Sequence, residues 1–587
     1  MHPDNTVSCI NRFLGRPFKD PSVQRDLALL PLKASEAPDG GVRFHVRYGG
    51  REVPFSPAQL LAMVLSDLRR MADRQSGDGG GTGGAAVADC VLNVPAYFTQ
   101  PERRAVLAAA QVAGLNCVRL LHDTTAAALA YGIYKTELPE DEPVHVAFVD
   151  MGFAATQVSV VAFTRSGLAV KGHAWDRDLG GRDLDELIFD HVAADFKARH
   201  KADVRRSPKA SFKLRRQCEK VKKTLSANAE APLNVECLMD DIDYSGAITR
   251  DQLEAWGAPW LQRLKACLAE GVARAGVPVK ALTAVEVVGG GTRVPMVYRA
   301  VQEAFGQAPS RTLHAKETVC RGCALQCALL SPTYKVRPYA VVDALPYAVT
   351  GEWDDERGRP GAFSLFDRAA PLPATKSVTF HRAGPFAVTL GFVPEGGVSK
   401  AGPPATGTYT IGPFKLPRGM RAAPIRVRLG VDASGLSGVE GAAWVEEAAA
   451  APAGRASPSP ARVLAEVPVA AAPAGPGPGA GEVARLREAE LKMEAADDLQ
   501  EATQDAKNAL ESFLYSLRDR LAAGLGEGAG GKEREALSSQ LSALEDWLYG
   551  AGEDQPKAVY EKKLQELKTQ GAKLAAQALA AGGKAGR

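Results

Sequence analysis

Phe148–Phe163 reads FVDMGFAATQVSVVAF, and the reading of this stretch decides the fold. An apolar run beginning near Val144 leads into Asp150, Met151 and Gly152. Beyond the turn, Val158, Val160 and Ala162 alternate with Gln157, Ser159 and Val161. The pattern predicts strand, turn, strand, with one face more buried than the other. A turn tipped with a carboxylate and a glycine can hold a phosphate and its magnesium, because backbone N–H groups line the turn and the acid orients metal-bound water. The same residues also describe an ordinary β-hairpin.

Working outward, the elements alternate. Val42–Tyr48 reads as a strand, Pro57–Arg74 as a helix, and Ser76–Gly84 as a flexible glycine-rich insert. Val87–Val94 is a strand ending at Pro95. Thr99 and Glu102 form a capping box for a helix that Gly114 stops. After the short strand Val118–Leu121, Asp123-Thr124-Thr125 is expected to cap an alanine-rich helix. Downstream come a helix opened by Gly180-Gly181, the helix Ser211–Leu225, a small β-unit at Leu233–Met239, and one long helix from Asp251 to Ala275. A buried-type strand, Ala284–Val288, then meets Gly289-Gly290-Gly291 and a further helix. Such alternation predicts an α/β domain whose sheets are covered on both faces.

After Pro332 the character changes to short strands with frequent Gly and Pro, an all-β domain reaching Trp444. Glu446–Gly481 is Ala/Pro/Gly-rich and reads as a disordered linker. From Val483 helical spacing returns, with Ala506, Leu510, Phe513, Leu514, Leu517 and Leu521 on one stripe and Leu537, Leu541, Leu544 and Leu548 on another, a helical bundle.

The totals fit this plan. A chain of 587 residues is too long for one core, and 45% apolar with 24% charged residues is a globular composition. Net charge of +3 favours neither presence nor absence of a nucleic-acid partner, and no run of eighteen apolar residues predicts a membrane span. The N-terminus lacks the pattern of a secretory signal. Nine cysteines without framework spacing suit a reducing compartment, and Cys320, Cys323 and Cys327 fall on one helix face, where they read as buried thiols rather than as metal ligands.

The second informative turn is Val285–Pro295, VEVVGGGTRVP. Glycines let a ligand approach the backbone, the following helix offers its N-terminus, and Arg293 can stack on a base or pair with phosphate. Taken together with NVPAYFTQPERR at Asn93–Arg104, HDTTAAALAY at His122–Tyr131, LGGRDLDE at Leu179–Glu186, CEKVKKTLS at Cys218–Ser226 and RGCALQCAL at Arg321–Leu329, this turn resembles the nucleotide-binding domain of the heat-shock protein 70 superfamily. Its large, 110-kilodalton branch is the more similar, on VDMG followed by FAATQVS, GIYK at Gly132–Lys135, CALQCALLSP at Cys323–Pro332 and DWLYGAGEDQ at Asp546–Gln555.

The resemblance implies an α/β actin-like two-lobed nucleotide-binding domain over 1–332, a β-sandwich over 333–445, a linker over 446–482 and an α-helical bundle over 483–587. It implies ATP or ADP with magnesium as cofactor. Glu219, Lys222, Lys223 and Ser226, with Gly289, Gly290, Gly291 and Arg293, fall on its adenosine side. Asp150 and Gly152 belong to its second phosphate loop, Asp123 stands for a glutamate near the magnesium, and Pro95 for a proline that relays nucleotide state.

Four departures are evident. The family's first glycine-rich phosphate hairpin has no equivalent here, which leaves open an incomplete gene model. Asn11 falls near the place of a lysine that positions the attacking water, and an amide supplies no cationic charge. Phe153 and Ala154 replace phosphate-loop glycines, and Lys316 stands where an acid is usual. Phosphoryl transfer depends on positioning and charge stabilisation, so weak or no hydrolysis is expected. The implied role is a co-chaperone: a nucleotide exchange factor for a cytosolic heat-shock protein 70 and a holdase for unfolded polypeptides, cytoplasmic and also nuclear, with neither nucleic acid nor membrane as partner. The alternative is a folding chaperone with its own ATPase cycle.

Overall fold

The computed structural model of the chain describes residues 2–77, 87–354, 359–393, 405–417, 420–446, 462–525 and 531–582. Most of the expected glycine-rich insert, 78–84, lies outside the described residues. So does the stretch 447–461 of the expected linker. The chain divides into two compact units, Met1–Val483 and Ala484–Arg587.

The 148–163 hairpin forms the middle of a six-stranded sheet. Its strands run in the order Leu282–Val288, Val144–Met151, Thr156–Thr164, Gly167–Asp176, Ala340–Ala344 and Pro371–Leu372. Eight of the nine residues of Thr156–Thr164 are buried. The expectation of one more buried face is therefore corrected: helices cover both. Ala147, Val149, Met151, Val158 and Val160 pack with Leu264 and Leu268 of helix Ala258–Ala275. Val146, Phe148, Val161 and Phe163 pack with Ala127, Ala128 and Leu129 of helix Asp123–Gly132. A sheet sandwiched in this way selects apolar residues at successive positions, and the alternation that marks a half-exposed strand weakens.

A two-stranded parallel sheet, Asp89–Val94 with Asn116–His122, carries the first lobe. Thr99 and Glu102 form the expected capping box on helix Gln100–Val112. Helix Thr318–Leu330 lies so close to helix Asp123–Gly132 that a Cβ on Gly322 would sit 1.9 Å from the Ala126 carbonyl oxygen. On this helix Cys323 is buried and Cys327 half-buried, while Cys320 is exposed, against the expectation of three buried thiols. Two further expectations are corrected. The helix cap before Asp123 is His122, and Asp123 is the first helical residue with its carboxylate engaged elsewhere. The long helix 251–275 is two helices, Arg250–Trp256 and Ala258–Ala275, parted at Gly257, because Pro259 in the first turn of the second helix has no N–H to continue the ladder.

The β-rich part begins later and ends later than its composition suggests. Ala340–Ala344 is a strand of the six-stranded sheet, paired in parallel with Gly167–Asp176. Two antiparallel sheets follow. One has five strands in the order Pro360–Phe366, Val349–Asp354, Phe386–Phe392, Ala405–Ile411 and Val469–Pro473. The other has four, Ala374–Arg382, Ala423–Val431, Ser437–Val445 and Val463–Val467. Strands Val463–Val467 and Val469–Pro473 thus correct the reading of 446–482 as linker throughout. Their Ala/Pro-rich sequence hid them because edge strands bury few side chains and tolerate proline at their ends; of the first, only Val467 is buried.

The sandwich shares a continuous core with the first lobe, in which Val94, Ala96, Tyr97 and Phe98 pack in one cluster with Leu345, Tyr347, Ile425 and Val427. Polar contacts bridge the same junction. The Gln100 amide donates to the Ser437 carbonyl at 2.9 Å and accepts from the Ser437 N–H at 2.8 Å. Arg103 donates to the Ser434 carbonyl at 3.0 Å, and the Leu120 N–H donates to the Ser434 hydroxyl at 3.0 Å. The Ala484–Arg587 unit has its own core, in which Leu510, Leu514 and Leu517 meet Leu541, Leu548, Tyr560 and Leu567 from helices Gly531–Leu548 and Lys557–Gly582.

If Val463–Val467 belongs to the sandwich, Val467→Asp will lower its stability by more than about 2 kcal/mol, because it buries an unpaired charge. Val463→Asp, at a position 56% exposed, will change it by less than about 0.5 kcal/mol. Urea unfolding of the two variants beside the parent measures both.

Candidate nucleotide site

The carboxyl ends of the parallel strands Val144–Met151 and Leu282–Val288 lie side by side, with Asp150 in register with Val288. Two expected site elements therefore meet here: Asp150 at the tip of one strand and the glycine turn at the tip of the other. Gly289 has φ +83°, and a Cβ there would stand 2.3 Å from the Met151 carbonyl oxygen and 2.6 Å from Asp150 Oδ1. Only glycine fits both conditions. Above it the backbone is open, since a Cβ on Gly290 would meet nothing within 4 Å. Gly290–Arg293 forms a single 3-10 turn in which Gly291 is buried and Arg293 exposed.

Asp150 is pushed up to about 7, chiefly by burial and further by the neighbouring Asp123 carboxylate. Burial raises Asp123 as well, opposed by the amides of Asn93 and Gln157, which donate to its two oxygens at 2.8 and 2.7 Å. The Gln157 oxygen accepts from the Ala96 N–H at 2.7 Å, immediately after Pro95. Gln157 thus connects Asp123 to the peptide after Pro95, and Asp123 in turn acts on Asp150 through its charge. Residue-level reading missed Gln157 and Asn93 as site residues. The available signal was a carboxamide inside a strand otherwise built to be buried.

The 151–156 turn leans on the next helix. The Gly152 N–H donates to the Ala155 carbonyl at 3.0 Å. The first two N–H groups of helix Gly181–His200 donate to the Gly152 and Phe153 carbonyls at 3.1 and 2.7 Å. From there contacts reach helix Pro208–Leu225: the Lys222 ammonium donates to the Gly181 carbonyl and to Asp185 Oδ2, both at 2.8 Å. Burial raises Asp185 to about 7, against the pull of Lys222. Glu219 pairs with Lys223 at 2.6 Å and is held below the usual carboxylate range, mainly by that bond. The Ser226 hydroxyl donates to the Lys222 carbonyl within its own helix at 3.1 Å. Of the adenosine-side residues, Glu219, Lys222 and Lys223 thus lie on this helix and Ser226 caps its end, with Lys222 directed at Asp185 and Gly181, whereas Gly289, Gly290, Gly291 and Arg293 lie in the turn after strand Leu282–Val288.

On the other side of the 151–156 turn, Arg12, next to the exposed Asn11, forms a buried ion pair with Asp26 at 2.7 Å and also reaches Asp178; Arg182 joins the other oxygen of Asp26 at 2.6 Å. None of these four was singled out from the sequence, because their partners are distant along the chain.

Two lobes that meet over a sheet end bearing Asp150 and a glycine turn, followed by a β-sandwich and a helical unit, set the frame for comparison with known proteins. The protein-family model described as Hsp70 protein matches residues 1–580. This chain belongs to the Hsp70 family. It is 39% identical to heat shock 70 kDa protein 14 of Arabidopsis thaliana, over 97% of this chain and 76% of that protein. It is 35% identical to heat shock protein 110 of Caenorhabditis elegans, over 97% of this chain and 75% of that one. Heat shock 70 kDa protein 4L of Homo sapiens is 34% identical, over 97% and 74% respectively. The chain is thus an Hsp110-like relative within a chaperone family that binds ATP and ADP, and among the described residues no helix is long and apolar enough to cross a membrane.

These contacts bear on how the family's nucleotide and magnesium would be held. The metal side fits: Asp150, raised by burial beside Asp123, is relieved by a divalent cation. The glycine side fits too, through the open backbone at Gly290. When bound, the ion would draw charge from the phosphates; Asp150 and Asp123 would hold its shell, and Asn93 and Gln157 would orient Asp123. The turn at Gly152 fits less well, because the N–H groups of Gly152, Gly181 and Arg182 are already bonded within the protein.

A carboxyl raised toward 7 ionises in the unfolded chain near 4 and in the folded chain only near 7, so it costs stability increasingly as pH rises through that interval. Asp150→Asn will therefore raise the ligand-free thermal midpoint more at about pH 8 than at about pH 5. The same variant will lose the magnesium dependence of nucleotide binding. Thermal scans and titrations with labelled ADP measure the two effects.

Proposed function

We propose that this Hsp110-like chain is a co-chaperone that exchanges nucleotide on a conventional Hsp70 and holds unfolded polypeptides, with little or no ATP hydrolysis of its own. The observation that carries this reading is the closed turn at Gly152–Ala155. Its Gly152 N–H is taken by the Ala155 carbonyl, the neighbouring helix N–H groups of Gly181 and Arg182 are taken by the Gly152 and Phe153 carbonyls, and Phe153, 52% exposed, occupies the place where the family's phosphate loop carries glycine. With those three N–H groups engaged and a phenyl side chain where a glycine would let phosphate approach the backbone, the turn gives little transition-state stabilisation. Asn11 likewise brings no ammonium to position an attacking water.

What remains supports binding rather than turnover. Asp150, Gly152, Glu219, Lys222, Lys223, Ser226, Gly289, Gly290, Gly291 and Arg293 are assigned to ATP or ADP with magnesium. In this reading the nucleotide fixes the closure of the two lobes that a partner Hsp70 meets. The partner is assigned to the cytosol, and this chain with it. The sandwich and the helical unit are assigned to clients and partner contacts.

The deciding experiment follows release of fluorescent ADP from a cytosolic Hsp70 after mixing with excess ATP, with and without this protein. Release will quicken several-fold in its presence, while the purified chain alone turns over ATP at near-background rate. Unchanged release with a folded sample defeats the proposal. ATP turnover stimulated by a J-domain protein favours instead a folding chaperone with its own cycle, the reading that the retained Asp150–Asp123 pair supports.

A further inference from the structure

The parallel ladder of the first lobe places Cys90 of strand Asp89–Val94 directly beside Cys117 of strand Asn116–His122. Neighbouring strands lie about 4.8 Å apart, and residues in register point to the same side of the sheet. That spacing falls inside the range of about 4.4–6.8 Å between Cα atoms over which a disulfide closes. The ladder shifts register immediately after this pair, between Cys90 and Val91. The backbone there is not locked on both sides by regular pairing and can adjust as the sulfurs approach. The two thiols are in hydrogen-bond contact, and both are half-buried, so small solutes reach them.

The surroundings separate the two roles. Cys117 is held below the ordinary thiol value, first by the hydrogen bond from Cys90 and then by the backbone of Leu92, against the effect of burial. In its thiol form it donates to the Arg119 carbonyl at 3.3 Å. Cys90 is raised, because its proton is held by Cys117 and because burial, Cys327 and Asp89 oppose its ionisation. Among the other cysteines of the first lobe, Cys323 is pushed up to about 12 by burial, and Cys327 is raised by burial, Asp89 and Cys117. The nucleophile and its neighbour are thus distinguished from the surrounding thiols.

We propose that Cys90 and Cys117 are a dithiol modification site that a hydroperoxide converts to a reversible cross-strand disulfide. The Cys117 thiolate attacks the peroxide, takes one oxygen as a sulfenic acid and releases hydroxide. The Cys90 sulfur then attacks Cys117, the sulfur–sulfur bond forms, and the sulfenic oxygen leaves with the Cys90 proton as water. With hydrogen peroxide, the hydroxide takes up the proton that Cys117 gave up on ionising, so that two thiols are oxidised and one peroxide is reduced to two waters. The bond ties together the strand that ends at Asn93 and Pro95 and the strand that leads into Asp123.

The test uses the full chain, reduced, desalted, exposed to hydrogen peroxide, blocked with a maleimide and digested without reductant for mass spectrometry. The expected product is one linked peptide pair joining Cys90 to Cys117, lighter by two hydrogens and separated again by dithiothreitol. In C90S, Cys117 will be captured by dimedone as a sulfenic acid. In C117S, Cys90 will remain a thiol while the exposed Cys320 and Cys237 are oxidised. Free Cys90 and Cys117 in the parent chain after Cys320 has been oxidised overturns the proposal, and so does a link from Cys117 to Cys327. The parent chain alone decides this, so the outcome does not depend on the variants folding.

Discussion

The buried carboxylate of Asp343 is the contact on which the arrangement of the first unit depends. Its Oδ1 accepts from His122 Nδ1 at 3.0 Å, from the Thr125 hydroxyl at 3.0 Å and from the Ala344 N–H at 2.8 Å, and lies 3.4 Å from His173 Nε2. Arg103 donates to His122 Nε2 at 2.8 Å, which leaves Nδ1 as the N–H that faces Asp343. Burial pushes His122 down to about 4, so its ring is neutral at ordinary pH, while the surrounding donors hold Asp343 well below the usual carboxylate range. The ligand atoms of His122, His173 and Asp343 lie within 4.8 Å of one another. With a guanidinium already against His122, the set works as a charge-neutralising joint. A buried charge is tolerable only when paired and hydrogen-bonded, and the groups gathered around this one come from three separate segments.

Those segments are the ones whose mutual placement matters. His122 ends the strand that delivers Asp123, His173 lies in the central sheet, and Asp343 lies in the strand that leads to the sandwich. Arg103, fully enclosed, also donates to the carbonyls of Phe98, Ala96 and Ser434. One guanidinium therefore spans the turn after Pro95 and the sandwich loop. The contiguous apolar core beneath these polar contacts makes lobe and sandwich pack as parts of one unit.

Much of this organisation was legible in the sequence. The 148–163 hairpin, the Thr99–Glu102 capping box and the bundle stripes follow from local periodicity and capping chemistry, which need only neighbouring residues. Asp150 and the Gly289 turn were legible for the same reason, as the ends of apolar strands. The remainder was hidden for identifiable physical causes. Strands Val463–Val467 and Val469–Pro473 acquire order from their partners in the sheets, so composition alone reads them as linker. The ion pairs of Arg12 with Asp178 and of Arg182 with Asp26, and the joint at Asp343, link residues more than a hundred positions apart, and a single chain carries no mark of such pairing. Asp123 illustrates a subtler case: a residue type suited to capping a helix was withheld from that task because two amides claim both of its oxygens.

Gln157 lends that arrangement a direction. A carboxamide has one accepting end and one donating end, and here the accepting end faces the Ala96 N–H while the donating end faces Asp123. The polarity is fixed by the backbone, because an N–H cannot accept. The amide is therefore a one-way connector, held with its oxygen on the peptide after Pro95 and its nitrogen on Asp123. A single non-ionisable residue, invisible to any search for charged or reactive groups, thereby ties a buried acid to the buried peptide that follows Pro95.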